Sequence, residues 1–415
     1  MKRISRILFV LLFIVSVIVD CVNGYMQTFM GLHTDVGFLL RGTIMLICIP
    51  SLIKHPILKK ALIPFIFIYV LSLCIWIINN PSVEISVEIS KLSKYLYVYF
   101  LFAFFYIHWQ QLSYKQLLNY ISNYATIIAI VLILCYTFNF GISSYGAGNY
   151  GWGTQGLFIA GNDLGLTLVL SLIMSCLLYV KFEPTILLLS KIVIIAIGSV
   201  LIGTRTCFIM IPLIMISFII YLAMGGGKKR RYVLSFFLIV LLVYFVPRFV
   251  VSIYEQFDTY AMNRLTLESL ENARTSFTEP AKQYIASFSG PSYIIGNGYT
   301  LYLRWIGADI GIESKSAEAD IYDVIGPYGY VFGTVFLLFY ISCFLTSIAS
   351  YFKKKGRDEL IYMFAIFVFT GISILSGHAL NNVLVAPIFA IIATRVYKKY
   401  DCNGNDVKIV IKKNL

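Results

Sequence analysis

The sequence predicts an all-α protein, a polytopic transmembrane helix bundle of about twelve spans. Three observations carry the prediction. Of 415 residues, 59% are hydrophobic and only 13% charged, and mean hydropathy is +0.83. A soluble chain of this length could not bury that much apolar surface. The apolar residues also gather in runs near the ~20-residue length of a bilayer crossing. Finally, most of the basic residues fall in every second loop.

In chain order the runs are 7–22, 36–53, 61–78, 92–107, 117–138, 157–180, 185–202, 206–223, 232–247, 323–350, 360–376 and 379–396. The first follows Lys2, Arg3 and Arg6, as a signal peptide would. It lacks a small-x-small cleavage site and leads into further spans, so it reads as a retained helix. Lys54, Lys59 and Lys60, then Lys115, Lys181, Lys228 to Arg231, Lys353 to Arg357 and the residues from Arg395 onward mark one side of the bundle. The positive-inside rule makes that side cytoplasmic, with both termini on it. The net charge of +13 is then matched by the anionic leaflet of the lipid bilayer, and no nucleic acid is expected as partner.

The chain reads as a single integral membrane domain over 1–415, with no internal repeat or low-complexity linker. Residues 397–415 form its cytoplasmic basic tail. The eight cysteines show no CxxC spacing, and the four histidines (33, 55, 108 and 378) are split between the two faces. Neither pattern suits a metal, so no metal and no cofactor are expected. Walker, GxGxxG, GxSxG and HExxH motifs are absent from the sequence, which leaves nucleotide chemistry unsupported.

Two outer loops are long. Residues 139–156 are rich in Gly, Tyr and Trp, and Trp152 there suits an interfacial aromatic belt or the stacking of a sugar ring. Residues 248–322 form a long extracytoplasmic loop. Its first part has helical spacing of apolar residues, interrupted at Pro280, and predicts amphipathic helices on the membrane surface. Gly296-Asn297-Gly298 then supplies a turn.

The loop ends in three carboxylates at the mouth of an apolar helix: Glu318, Asp320 and Asp323, followed by Tyr328 and Gly329. A bilayer protein tolerates carboxylates poorly unless something uses or neutralises them. In a helix, 320 and 323 share a face and 318 lies off it. Arg205, in Gly203-Thr204-Arg205-Thr206, occupies a tight outer turn; its forked donor suits a diphosphate, and lipid phosphate is the plainer partner. Arg274 reads as a second diphosphate ligand or as half of a surface ion pair. Arg41 and Asp163 lie near the outer ends of their spans, where they pair with each other or with Arg205, and Asn162 adds a polar group at the same level. His378, in the turn between the last two spans, serves as a base, a positioning group or a structural residue. Cations and carboxylates on one outer side suit a lipid-linked diphosphate substrate and the deprotonation of an acceptor hydroxyl.

At these residues the chain resembles the O-antigen polymerase and O-antigen ligase superfamily of bacterial surface polysaccharide assembly. The similarity rests on Ala160-Gly161-Asn162 heading a middle span, the turn at Arg205, and Arg274 upstream of Gly296-Asn297-Gly298. The acidic run closing on Tyr328-Gly329 and the Gly377-His378 turn complete it. It covers roughly residues 155–390. The resemblance implies a metal-independent membrane glycosyltransferase of the bacterial cytoplasmic (inner) membrane, making O-antigen (lipopolysaccharide) or capsule-type glycan. Its donor would be an undecaprenyl-diphosphate-linked oligosaccharide, with a chain-length regulator as a further partner. Carried over by position, Arg205 and Arg274 bind diphosphate, Glu318, Asp320 and His378 activate or orient the acceptor, and Arg41, Asn162, Asp163, Asp323 and Tyr328 support the site. Ligases of the superfamily carry a histidine in the long loop, whereas 248–322 contains none, which favours a polymerase. A ligase remains the rival of the same class and a transporter of lipid-linked oligosaccharide the rival of another. A two-fold transporter would show internal repeats.

Overall fold

A computed structural model describes residues 2–32, 36–54, 56–144, 153–159, 161–182, 184–224, 267–377 and 379–401. They are overwhelmingly helical. In chain order come α1 (Lys2–Val10), a π turn (Leu11–Val15), α2 (Ser16–Phe29), α3 (Val36–Lys54), α4 (Pro56–Asn79), α5 (Ile85–His108) and α6 (Tyr114–Thr137). A two-stranded antiparallel ribbon, β1 (Ile142–Ser143) and β2 (Thr154–Gly156), precedes α7 (Gly161–Lys181), α8 (Ile186–Leu201) and α9 (Arg205–Met224). The later part holds α10 (Leu267–Ala286), α11 (Ser292–Ile295), α12 (Tyr299–Asp309), α13 (Asp320–Lys354), α14 (Arg357–Ser376) and α15 (Ala386–Asp401).

Every apolar run of the sequence corresponds to a helix except 232–247, which lies outside the described residues. Among those residues five helices are long and apolar enough to cross a membrane: Arg6–Phe29, Val36–Ile53, Tyr114–Thr137, Gly161–Lys181 and Asp320–Lys354. Other apolar helices, such as Ile186–Leu201, are shorter. The protein is an all-α bundle with membrane-spanning character.

Four local expectations are corrected. The 139–156 loop contains the β1–β2 ribbon. The run beginning at 157 becomes helical only at Gly161. Helix α10 continues through Pro280, which removes one N–H from the ladder. Packing compensates: Ala281, Tyr284, Ile285 and Phe288 insert into one apolar cluster with Tyr302, Ile306 and Ala317. The last helix begins at Ala386 rather than 379, because the Asn382 side chain accepts the Val385 N–H (3.0 Å) and caps the first turn there.

The chain forms two compact units. One comprises Met1–Ser16, Asp35–Leu117 and Arg274–Leu415, and the other Val17–Thr34 and Leu118–Ala273. In the second, α7 is buried along almost its whole length against α8 and α9. Close approach is set by small residues: a Cβ on Gly198 would stand 2.6 Å from that of Ala129.

In the first unit α3 and α15 pack against α5, and α13 packs against α14. Helix α13 has 35 residues, about 52 Å at 1.5 Å per residue, well beyond the ~30 Å hydrocarbon core. It is broken at Gly329, whose φ of 74° and ψ of 176° lie in a region that essentially only glycine occupies. The break frees backbone groups, and each of two finds a partner. Pro327 has no N–H for the Asp323 carbonyl, which instead accepts the Tyr95 hydroxyl at 3.1 Å. The Pro327 carbonyl accepts the Gly298 N–H at 3.0 Å. Trp76 Nε1 donates to the Gly296 carbonyl at 3.0 Å, closing the junction from α4. Tyr95→Phe is expected to leave the Asp323 carbonyl unpartnered, costing about 1–3 kcal/mol. An unchanged apparent Tm in detergent would refute that account.

Candidate functional site

The acidic run is the centre of the first unit's polar groups. Glu318 precedes α13, with a left-handed φ of 54°, and is half-buried. Ala319 is extended, and Asp320 and Asp323 lie in the first helical turn, where carboxylates are favoured by the helix dipole. The two share one face and are fully buried, while Glu318 stands off it.

Burial obliges each aspartate to accept hydrogen bonds. Asp320 Oδ2 accepts from Ser373 Oγ (2.7 Å) and from the backbone N–H groups of Ala379 (2.9 Å) and Leu380 (3.1 Å). Asp323 Oδ1 accepts from the Tyr302 hydroxyl (3.0 Å) and the Ala317 N–H (2.9 Å). Among the described residues, its buried Oδ2 has no hydrogen-bond partner. Asp320 thus fastens the turn after α14, and Asp323 fastens the loop before α13.

That turn also lies against Glu318. Gly377 adopts φ 63°, and a Cβ added there would stand 2.4 Å from the Glu318 carbonyl carbon. His378 is outside the described residues, but its neighbours Gly377 and Ala379 both meet the acidic run. Glu318 pairs with Lys315, and both side chains are about one-third exposed (29% and 31%). The Lys315 ammonium lies 4.9 Å from the centre of the Phe277 ring on α10. Arg274 belongs to the same helix, three residues before Phe277 in the chain. Phe277, Lys315, Glu318 and Gly377 therefore form one continuous set of contacts.

Glu88, overlooked from sequence, holds α12, the third described helix of the loop. Fully buried near the start of α5, its carboxylate accepts the N–H groups of Tyr299 (2.9 Å) and Thr300 (2.7 Å) and the Thr300 hydroxyl (2.9 Å). It caps α12 from another helix, and the Lys91 ammonium lies 4.8 Å from the Tyr299 ring centre. Glu88 precedes the apolar stretch 92–107; burial pushes its carboxyl above the usual carboxylate value, and the hydrogen bonds and Lys91 oppose that rise. A carboxylate among Lys91, Lys94 and apolar residues was the available sequence signal. Tyr302 and Lys315 were overlooked for a plainer reason: a loop tyrosine and a loop lysine carry no motif.

Tyr328 is fully buried between Trp76 (ring centres 6.2 Å apart), Tyr95 (5.9 Å) and Tyr299 (6.5 Å). It forms the aromatic floor beneath the junction. Arg41 is buried within α3 of the same unit.

The second unit gathers the other predicted residues. Asn162 is exposed and Asp163 half-buried in the first turn of α7, and Arg205 begins α9. The two helix starts adjoin, since a Cβ on Gly165 would stand 2.9 Å from Thr204 Oγ1. Thr204 Oγ1 accepts the Cys207 N–H (3.4 Å) as the cap of α9, and Ser144 from the ribbon donates to the Ile202 carbonyl (2.6 Å). Trp152 lies outside the described residues. Among those residues, no group of three or more His, Cys, Asp or Glu is arranged to hold a metal ion.

These contacts give a partly exposed carboxylate, a lysine beside it and a rigid buried acid frame behind them. Such a set can hold an anion and take a proton from a hydroxyl. No protein-family model and no curated protein sequence matches the chain.

Proposed function

We propose that the protein is a membrane polysaccharide polymerase of O-antigen or capsule type. It transfers a growing glycan from undecaprenyl diphosphate to an incoming lipid-linked repeat unit at the outer leaflet of a bacterial cytoplasmic membrane. The chain crosses that membrane about twelve times, with both termini cytoplasmic. The observation that supports this reading best is the meeting of Glu318 and Asp320 with the Gly377–Leu380 turn, beside the helix that carries Arg274.

The residues divide by burial. Glu318 alone of the three acids reaches the surface, so it takes the proton of the acceptor hydroxyl. Asp320 and Asp323 keep the turn and the loop in place, and His378 orients the acceptor. Arg274 holds the diphosphate and neutralises its departing charge; Arg205, in the second unit, is a diphosphate ligand there. Arg41 and Tyr328 support the groups of the first unit, and Asn162 and Asp163 support Arg205 in the second.

Deleting the gene in its host and resolving surface glycan on a gel tests the function. A polymerase deletion leaves single repeat units on their anchor and removes the ladder of longer chains. Loss of the single units as well would indicate a ligase or a transporter instead.

A further inference from the structure

The geometry points to Lys315 as a further ligand of the donor diphosphate, held by Glu318 until the donor arrives. The inference rests on the polymerase reading above and adds a mode of activation to it. Four contacts support it. The Lys315 N–H donates to the Leu303 carbonyl at 3.0 Å, the Ala317 N–H donates to Asp323, and the backbone of Glu318 lies beneath Gly377. The segment 315–318 is therefore pinned along its backbone while its two charged ends, paired with each other, stay partly exposed. The Phe277 ring gives the ammonium a second contact, on α10, besides Glu318.

While the pair is closed, the Lys315 ammonium occupies the Glu318 carboxylate oxygen that would otherwise meet the acceptor hydroxyl. A diphosphate, with more charge than a carboxylate, draws the ammonium away, and Glu318 is left free beside the acceptor. The acceptor hydroxyl oxygen then bonds to the donor's anomeric carbon. The bond from that carbon to the diphosphate oxygen breaks, and its electron pair leaves with undecaprenyl diphosphate. The hydroxyl proton passes to Glu318 and from there to solvent. Exchange of partners by Lys315 so makes the base available only when the donor is bound, which disfavours idle hydrolysis.

The test uses the full chain in lipid nanodiscs, with radiolabelled undecaprenyl diphosphate as probe and glycan ladders from complemented cells as the second readout. Lys315→Gln is expected to weaken probe binding about tenfold or more, through loss of a charge-assisted contact. Lys315→Arg should stay within a few-fold of the native chain. Glu318→Gln is expected to bind the probe about twofold to fivefold more tightly, since the competing surface pair is gone, yet to make no ladder. Native-like binding by Lys315→Gln would overturn the inference. So would weakened binding in Glu318→Gln alongside Lys315→Gln, the pattern of a pair that only holds the loop. Failure of the native chain itself to bind the probe would instead remove the polymerase reading.

Discussion

Glu88→Ala is expected to loosen the loop module more than any other single truncation. The carboxylate accepts three hydrogen bonds at the start of α12, from Tyr299 and Thr300. Removing it leaves two buried N–H groups and a hydroxyl without their acceptor, a loss of roughly 3–5 kcal/mol. The consequence travels along α12: the Leu303 carbonyl there receives the Lys315 N–H, and Lys315 pairs with Glu318. The purified variant should show an apparent Tm lower by roughly 10 °C and faster protease cleavage near residues 289–298. Glu88→Gln keeps an acceptor oxygen and should lose less. Equal melting of the native and alanine forms would show that α12 does not depend on Glu88.

Gly329→Ala should be nearly as damaging, although it adds only a methyl group. The added Cβ would lie 2.5 Å from the Gly296 nitrogen, 2.8 Å from the Ser292 carbonyl oxygen and 2.9 Å from the Ile294 carbonyl carbon. All three are backbone atoms, so no side chain can swing aside. The backbone angles add roughly 1–3 kcal/mol of strain for a non-glycine residue, and the overlap adds roughly 1–3 kcal/mol more. The α11 segment must then lift away from α13, taking Gly298 from the Pro327 carbonyl. Alanine at Gly371, where a Cβ meets nothing within 4 Å, is the matched control. Comparable expression and melting of the two variants would contradict the described junction.

Much of the fold was legible because burial in a bilayer leaves a strong one-dimensional signal. Runs of apolar residues and the alternation of basic loops needed no tertiary information, and helices stand at the expected places through most of the chain. The misreadings came where a local rule met packing. Pro280 argued for a helix end, yet the cluster around Tyr284 and Tyr302 carries α10 through it. Asn382 moved the start of α15 because a side-chain cap decides where a helix begins, and hydropathy does not register it.

The candidate site was legible in part. An acidic run at a helix mouth is conspicuous, and its i, i+3 spacing shows that Asp320 and Asp323 share a face. What each carboxylate touches is another matter. Asp320 meets residues 53 to 60 positions away, and Glu88 meets a helix more than 200 positions away. No pattern along the chain encodes those pairings, because they arise from the crossing of helices that are distant in sequence.

The sequence by itself determined that this is a helical protein of membrane-spanning character with a long polar segment ending in three acids, since composition and periodicity report directly on transfer from water to an apolar medium. Tertiary structure alone decided how the acids divide. Buried carboxylates must be satisfied by hydrogen bonds, which fixes Asp320 and Asp323 as anchors of the turn and the loop. The residue left partly exposed, Glu318, pairs with Lys315 at the surface.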